Sequence, residues 1–140
     1  MNAVIVYAGM TGHSKKLANF LAERFALPVI PATEEPPEYA DLLILIGGIY
    51  ADSPHRHMVS FARKLTAQQC GAAAVITSSA SKKTGQQSVI ACLKEKGIPC
   101  LGECHVKGSF AFAVSRGHPD QADRQEAADF AAELLKTAQA

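Results

Sequence analysis

At 140 residues, 48% of them hydrophobic, the chain carries enough apolar material for one folded domain and is not a disordered segment. Fourteen basic and 13 acidic side chains leave a formal charge of +1, which excludes nucleic-acid binding driven by bulk positive charge. No apolar run is long enough to cross a membrane, and Met1-Asn2-Ala3 leads into a strand pattern without the basic start or cleavage region of a signal peptide, so the expected compartment is the cytosol.

Ala3 to Ala8 is apolar at nearly every position, the pattern of a parallel strand covered on both faces. Gly9-Met10-Thr11-Gly12-His13-Ser14 follows as a turn with two glycines and two hydroxyl residues. A helix is expected from Ser14 to Phe25, with Leu17, Ala18, Leu21, Ala22 and Phe25 as its apolar stripe. Such a strand, loop and helix start can hold a phosphate on free N–H groups. The same stretch also reads as a βα turn that needs glycine, capped by Ser14 or Thr11. Pro28-Val29-Ile30-Pro31 is a short strand whose prolines suit a sheet edge. Thr33 to Tyr39 is acidic and proline-rich, a solvated connection. Leu42 to Ile46 is the third strand, and Gly47-Gly48-Ile49-Tyr50-Ala51-Asp52-Ser53-Pro54 the loop after it. The next helix carries Met58, Phe61, Ala62 and Leu65 on one face. Ala72 to Thr77 is the fourth strand, and residues 77–83, from Thr77, Ser78 and Ser79 to Lys83, form a third polar loop. A helix then runs to about Lys96, where Gly97 ends it. Cys100 to Val106 alternates, with Cys100, Gly102, Cys104 and Val106 on one side and Leu101, Glu103, His105 and Lys107 on the other, as in a half-exposed edge strand. Gly108 to Pro119 is a connection, and Ala122 to Thr137 the last helix.

Five strands alternating with four helices predict a doubly wound α/β domain over residues 1–140. Two edge-like strands around three buried ones give a five-stranded parallel sheet in the order 2-1-3-4-5, with helices on both faces. Ligands bind such sheets outside the carboxyl ends of the strands, at the switch point between the first and third. The loops 9–14, 47–54 and 77–83 meet there. Cys70, Cys92, Cys100 and Cys104 form no CxxC pair. Cys100 and Cys104, taken on one face, stand about 13 Å apart along a strand, too far for a disulfide. They read as buried or partly buried thiols.

Tyr7-Ala8-Gly9-Met10-Thr11-Gly12-His13-Ser14 resembles the phosphate loop of the flavodoxin family, and Gly47-Gly48-Ile49-Tyr50-Ala51-Asp52-Ser53-Pro54 resembles its second flavin loop. Gly102-Glu103, Lys107-Gly108-Ser109-Phe110 and Gly117-His118-Pro119-Asp120 are similar to the tail of a flavodoxin-like subgroup, so the resemblance spans the chain. It implies an FMN cofactor. The backbone of residues 10–15 would wrap the phosphate, with Gly9, Met10, Thr11, Gly12, His13 and Ser14 as its loop and the hydroxyls of Thr11 and Ser14 as donors. The flavin ring would lie between Gly48, Ile49, Tyr50, Ala51 and Asp52 on one side and Thr77, Ser78 and Ser79 on the other, with Tyr50 against it. Tyr50 reads equally, on the residues alone, as a half-buried aromatic over the sheet end. The implied role is electron transfer with a redox partner protein, as a carrier or oxidoreductase component rather than a stand-alone enzyme, by a monomer or weak dimer. No nucleic acid, membrane or metal is expected.

The chain departs from the family pattern. Gly9 stands where a hydroxyl residue is usual, Met10 where one is frequent, His13 where Asn is usual and Asp52 where Gly is frequent. The loop 77–83 lacks an aromatic, and the chain lacks the strong acidity of electron-carrying flavodoxins. Each hydrogen bond to a charged phosphate contributes roughly 1.5–3 kcal/mol, so losing two weakens binding by orders of magnitude. The alternative is therefore a flavodoxin-fold protein that has lost flavin and serves as a binding module, using a rim of Arg56, Lys82, Lys83, Lys107 and Arg116 with nearby histidines. Taken singly, those residues read as ordinary loop solvation. His55 and His57, two apart, would point about 160° apart on a helix, which disfavours a shared metal. The first loop has neither the acidic residues of a response-regulator receiver nor the Cys and Arg of a low-molecular-weight phosphatase. It matches neither the P-loop nor the dinucleotide fingerprint.

Overall fold

The computed structural model describes residues 2–9, 12–50, 53–79, 86–107 and 121–139. Six strands and four helices follow in the order β1 (Ala3–Ala8), α1 (His13–Phe25), β2 (Val29–Pro31), β3 (Ala40–Tyr50), β4 (Ser53–Pro54), α2 (Arg56–Lys64), β5 (Cys70–Ser79), α3 (Gln87–Glu95), β6 (Cys100–Lys107) and α4 (Gln121–Gln139). Five strands run parallel in the order β2-β1-β3-β5-β6, and β4 pairs antiparallel with the end of β3. With the two-residue β4 set aside, this is the expected order 2-1-3-4-5.

The alternating side chains of the central strands divide the interior into two layers. Ile5, Ile44, Ile46, Ala74 and Ile76 pack with Leu17 and Leu21 of α1 and Ala131 and Leu134 of α4. Val4, Val6, Leu43, Leu45, Ala73 and Val75 face the other way, onto Met58 and Phe61 of α2 and Val89 and Leu93 of α3. The central stretches of β1, β3 and β5 are apolar on both sides, as strands covered on both faces are. The predicted stripe of α2 holds: Met58, Phe61, Ala62 and Leu65 are all at 0% exposure. Gly97 follows α3 at φ +76, the left-handed conformation expected of a residue that ends a helix.

Three sequence expectations need correction. β3 does not stop at Ile46: Gly47 pairs with Ala8 and Thr77, Gly48 with Ser78, and Ile49 and Tyr50 continue the strand against β4. β5 likewise runs to Ser79, with Thr77 and Ser78 buried within the sheet rather than solvated in a loop. Cys100 and Cys104 do not share a face. Between paired positions β5 steps from Ala73 to Val75 while β6 steps from Cys100 to Glu103, a bulge of one extra residue that reverses the alternation. Cys100 therefore packs towards α2 and α3, whereas Cys104 joins the layer under α1 and α4. All four cysteines are free thiols, and burial pushes the Cys70 thiol up to about 11.

Candidate functional site

The register sets the site. Ala8, Gly47 and Thr77 stand in line across β1, β3 and β5. The chain leaves β1 at Gly9 and re-enters as α1 at His13, through Gly12 at φ +83. That left-handed conformation calls for glycine. Gly12 is the N-cap of α1 and makes no side-chain cap bond, and no acidic residue stands in the first turn. The helix start thus keeps its N–H groups and the positive end of its dipole without an internal counter-charge. Ser14 is a helical residue, 2% exposed, and not the cap that the turn reading assigned to it. His13 Nδ1 is buried without a hydrogen-bond partner among the described residues. Burial, then the Lys16 charge, holds the His13 pKa below its ordinary value of 6.5.

A second helix start lies beside the end of β3. His55 is the N-cap of α2 in extended conformation; its N–H donates to Gly48 O at 3.2 Å, and its Nδ1 accepts from the His57 N–H at 3.1 Å. Because His55 precedes the helix, the expected separation of about 160° does not apply. The two imidazole rings lie 4.8 Å apart, tilted by 45°. Burial, then the charges of His57 and Arg56, lowers the His55 pKa.

The third cluster was not legible as a site. Gln86, at 0% exposure, caps α3. Its Nε2 donates to Ile76 O at 3.1 Å and to Thr77 Oγ1 at 3.4 Å. Glu103 Oε2 accepts from the Gln86 N–H at 3.2 Å and from Thr77 Oγ1 at 3.4 Å, while Glu103 Oε1 lies 3.2 Å from His105 Nε2. Gln86 Oε1 is buried without a partner among the described residues. The alternation of β6 marked Glu103 and His105 only as an exposed edge, and one Gln before a helix carries no signal of its own.

Of the residues expected to hold a flavin, Gly9, Gly12, His13, Ser14, Gly48, Ile49, Tyr50, Thr77, Ser78 and Ser79 belong to segments that converge at this end of the sheet. Met10, Thr11, Ala51 and Asp52 lie outside the described residues, as do Lys82, Lys83, Arg116 and His118 of the basic rim and the connection 108–119. Arg56 is exposed at the start of α2.

No family model matches the chain. It is 26% identical over 151 residues to an uncharacterized protein of Methanocaldococcus jannaschii, covering 97% of this chain and 99% of that one. A cysteine-to-alanine variant of flavodoxin from Pseudomonas aeruginosa superposes with a TM-score of 0.71 over the full length of both chains, at 11% identity. The fold is flavodoxin-like. A flavoprotein from Lactobacillus acidophilus NCFM, solved in complex with FMN, matches the flavodoxin-like chain with a TM-score of 0.55 at 13% identity, over 74% of this chain and 92% of that one. None of the described helices of the flavodoxin-like domain is long and apolar enough to cross a membrane.

Proposed function

We propose that the chain binds FMN and acts in electron transfer, passing electrons to or from a redox partner protein in the cytosol, as a monomer or weak dimer. The observation that carries this reading is the start of α1. It has a left-handed glycine cap, no side-chain cap and no acid in its first turn, and it stands at the carboxyl end of β1 beside β3. An anion fits such a helix end, because the free N–H groups and the dipole favour negative charge. The backbone N–H groups of the first turn would hold the phosphate, helped by the buried Ser14. The ends of β3 and β5 would flank the ring, with Tyr50 as its aromatic neighbour. When bound, FMN supplies one- or two-electron chemistry. The chain's own part is to bind, orient and shield, and no side chain is assigned as a catalytic acid or base.

A second reading draws on specific residues. Gly9 offers no hydroxyl, and burial, then the Lys16 charge, lowers the His13 pKa and so disfavours the charged ring, which leaves the loop poorer in donors than the family pattern. On this reading the fold serves as a binding module without flavin.

An absorbance spectrum of the purified protein, then titration with FMN followed by flavin fluorescence, separates the two. Yellow protein, or saturable quenching weakened by Ser14→Ala and Tyr50→Ala, is expected. Colourless protein with no quenching at high micromolar FMN would overturn the flavin reading and leave the binding module.

A further inference from the structure

The bulge in β6 aims a carboxylate at the end of β5 and the start of α3. Under unbroken alternation from Cys100, Glu103 would point to the layer under α1 and α4. With the bulge, Glu103 sits opposite Val75 and shares the face of α3. Bulges that re-aim one side chain recur at sheet edges and beside ligand sites. Here the re-aimed group meets both ends of one span. Its Oε2 accepts from Thr77, near the end of β5, and from the Gln86 N–H, where α3 begins. Its Oε1 lies against His105.

Two further features belong to the same point. Gln86 is wholly buried, its amide nitrogen committed to Ile76 O and Thr77, so its orientation is fixed. Gly47 leaves room for it: a Cβ there would stand 2.6 Å from Gln86 Oε1. The buried Oε1 has no donor among the described residues. A buried, unpaired acceptor is costly, so an amide held in this place is there for more than filling space.

We propose that Glu103 is a positioning residue for the ring end of the site. By holding Thr77 and the Gln86 N–H together it ties the end of β5 to the start of α3, and so sets ring affinity at Thr77, Ser78 and Ser79 without touching the phosphate end. The role rests on the FMN reading. Glu103 itself contacts no cofactor and takes no part in electron transfer.

The test compares wild type, Glu103→Ala and Glu103→Gln by fluorescence titration with FMN and with riboflavin, which has the ring but no phosphate. Inorganic phosphate is measured as a competitor of FMN, and the thermal midpoint of each protein is recorded. Glu103→Ala is expected to bind FMN and riboflavin about tenfold more weakly, through loss of its hold on both Thr77 and the Gln86 N–H, with the inhibition constant of phosphate unchanged. Glu103→Gln keeps an acceptor for the Gln86 N–H and restores most of that affinity. Unchanged flavin affinity in Glu103→Ala overturns the proposal. So does a parallel loss of flavin and phosphate affinity that follows the fall in thermal midpoint, since that marks a merely structural role. A folded Glu103→Gln as weak as Glu103→Ala overturns it as well. Wild-type protein that binds neither FMN nor riboflavin overturns the flavin reading, and this role with it; wild type that binds while Glu103→Ala binds equally overturns the role alone.

Discussion

Gly47 shows how one residue's lack of a side chain supports another's burial. It is not in a left-handed conformation, so its value lies in space. A methyl group there meets Gln86 Oε1 at 2.6 Å and Cδ at 3.2 Å. The amide cannot swing away freely, because its Nε2 is bonded to Ile76 O inside the core. Gly47→Ala should therefore destabilise the protein by about 1–3 kcal/mol, through a lost buried hydrogen bond and overpacking. In a Gln86→Ala background the same substitution should cost much less, because the colliding atoms are gone. Urea unfolding of the four proteins in the cycle measures this coupling; equal costs in both backgrounds would show that the two side chains do not meet.

At the scale of elements, the helix ends carry most of what distinguishes this chain. α1 closes on Ala26 at φ 53, a left-handed position without glycine. Ala26→Gly should raise stability by about 1 kcal/mol by relieving that strain, seen as a higher urea midpoint with an unchanged slope. α2 opens on an imidazole cap, since His55 Nδ1 accepts from the His57 N–H. His55→Ala should cost about 1 kcal/mol, whereas His55→Asn should keep most of the cap. The elements themselves were legible because the central strands are apolar on both faces and the helices carry clear stripes. Their ends were not. Gly48 to Tyr50 and Thr77 to Ser79 look like turn residues, and only their pairing, between β3 and β5 and with β4 and β6, shows that they continue strands. The bulge in β6 was hidden for a related reason: alternation is read by counting in twos, and one inserted residue changes the face without changing the composition. Gly12, before α1, was legible as a need for positive φ. The cluster of Gln86, Glu103 and His105 was not, because residues from two separated stretches meet only after the strands pair.

At the scale of the whole molecule, the winding of the sheet brings the starts of α1, α2 and α3 to one end, and histidines with lowered pKa values stand at the first two. Both His13 and His55 are held below 6.5, mainly by burial. In the unfolded chain they titrate near that ordinary value, so around and below it the unfolded state binds more protons than the folded one. Stability then rises with pH through this window. Their contribution is fully present above about pH 7 and is lost as pH falls through 6.5 towards the lower folded values. Both rings keep partial contact with water, so the effect is a modest slope rather than a cliff. Thermal midpoints measured from pH 8 to pH 5 should fall on the acid side for the wild type. In a His13→Asn, His55→Asn double variant, which keeps polar side chains but cannot titrate, the decline between pH 7 and pH 5.5 should be visibly shallower. If FMN binds as proposed, saturating FMN should also reduce it, because a phosphate beside His13 favours the protonated ring and opposes the lowering of its pKa. A double variant that loses stability as steeply as the wild type would place the acid sensitivity on the carboxylates and not on this end of the sheet.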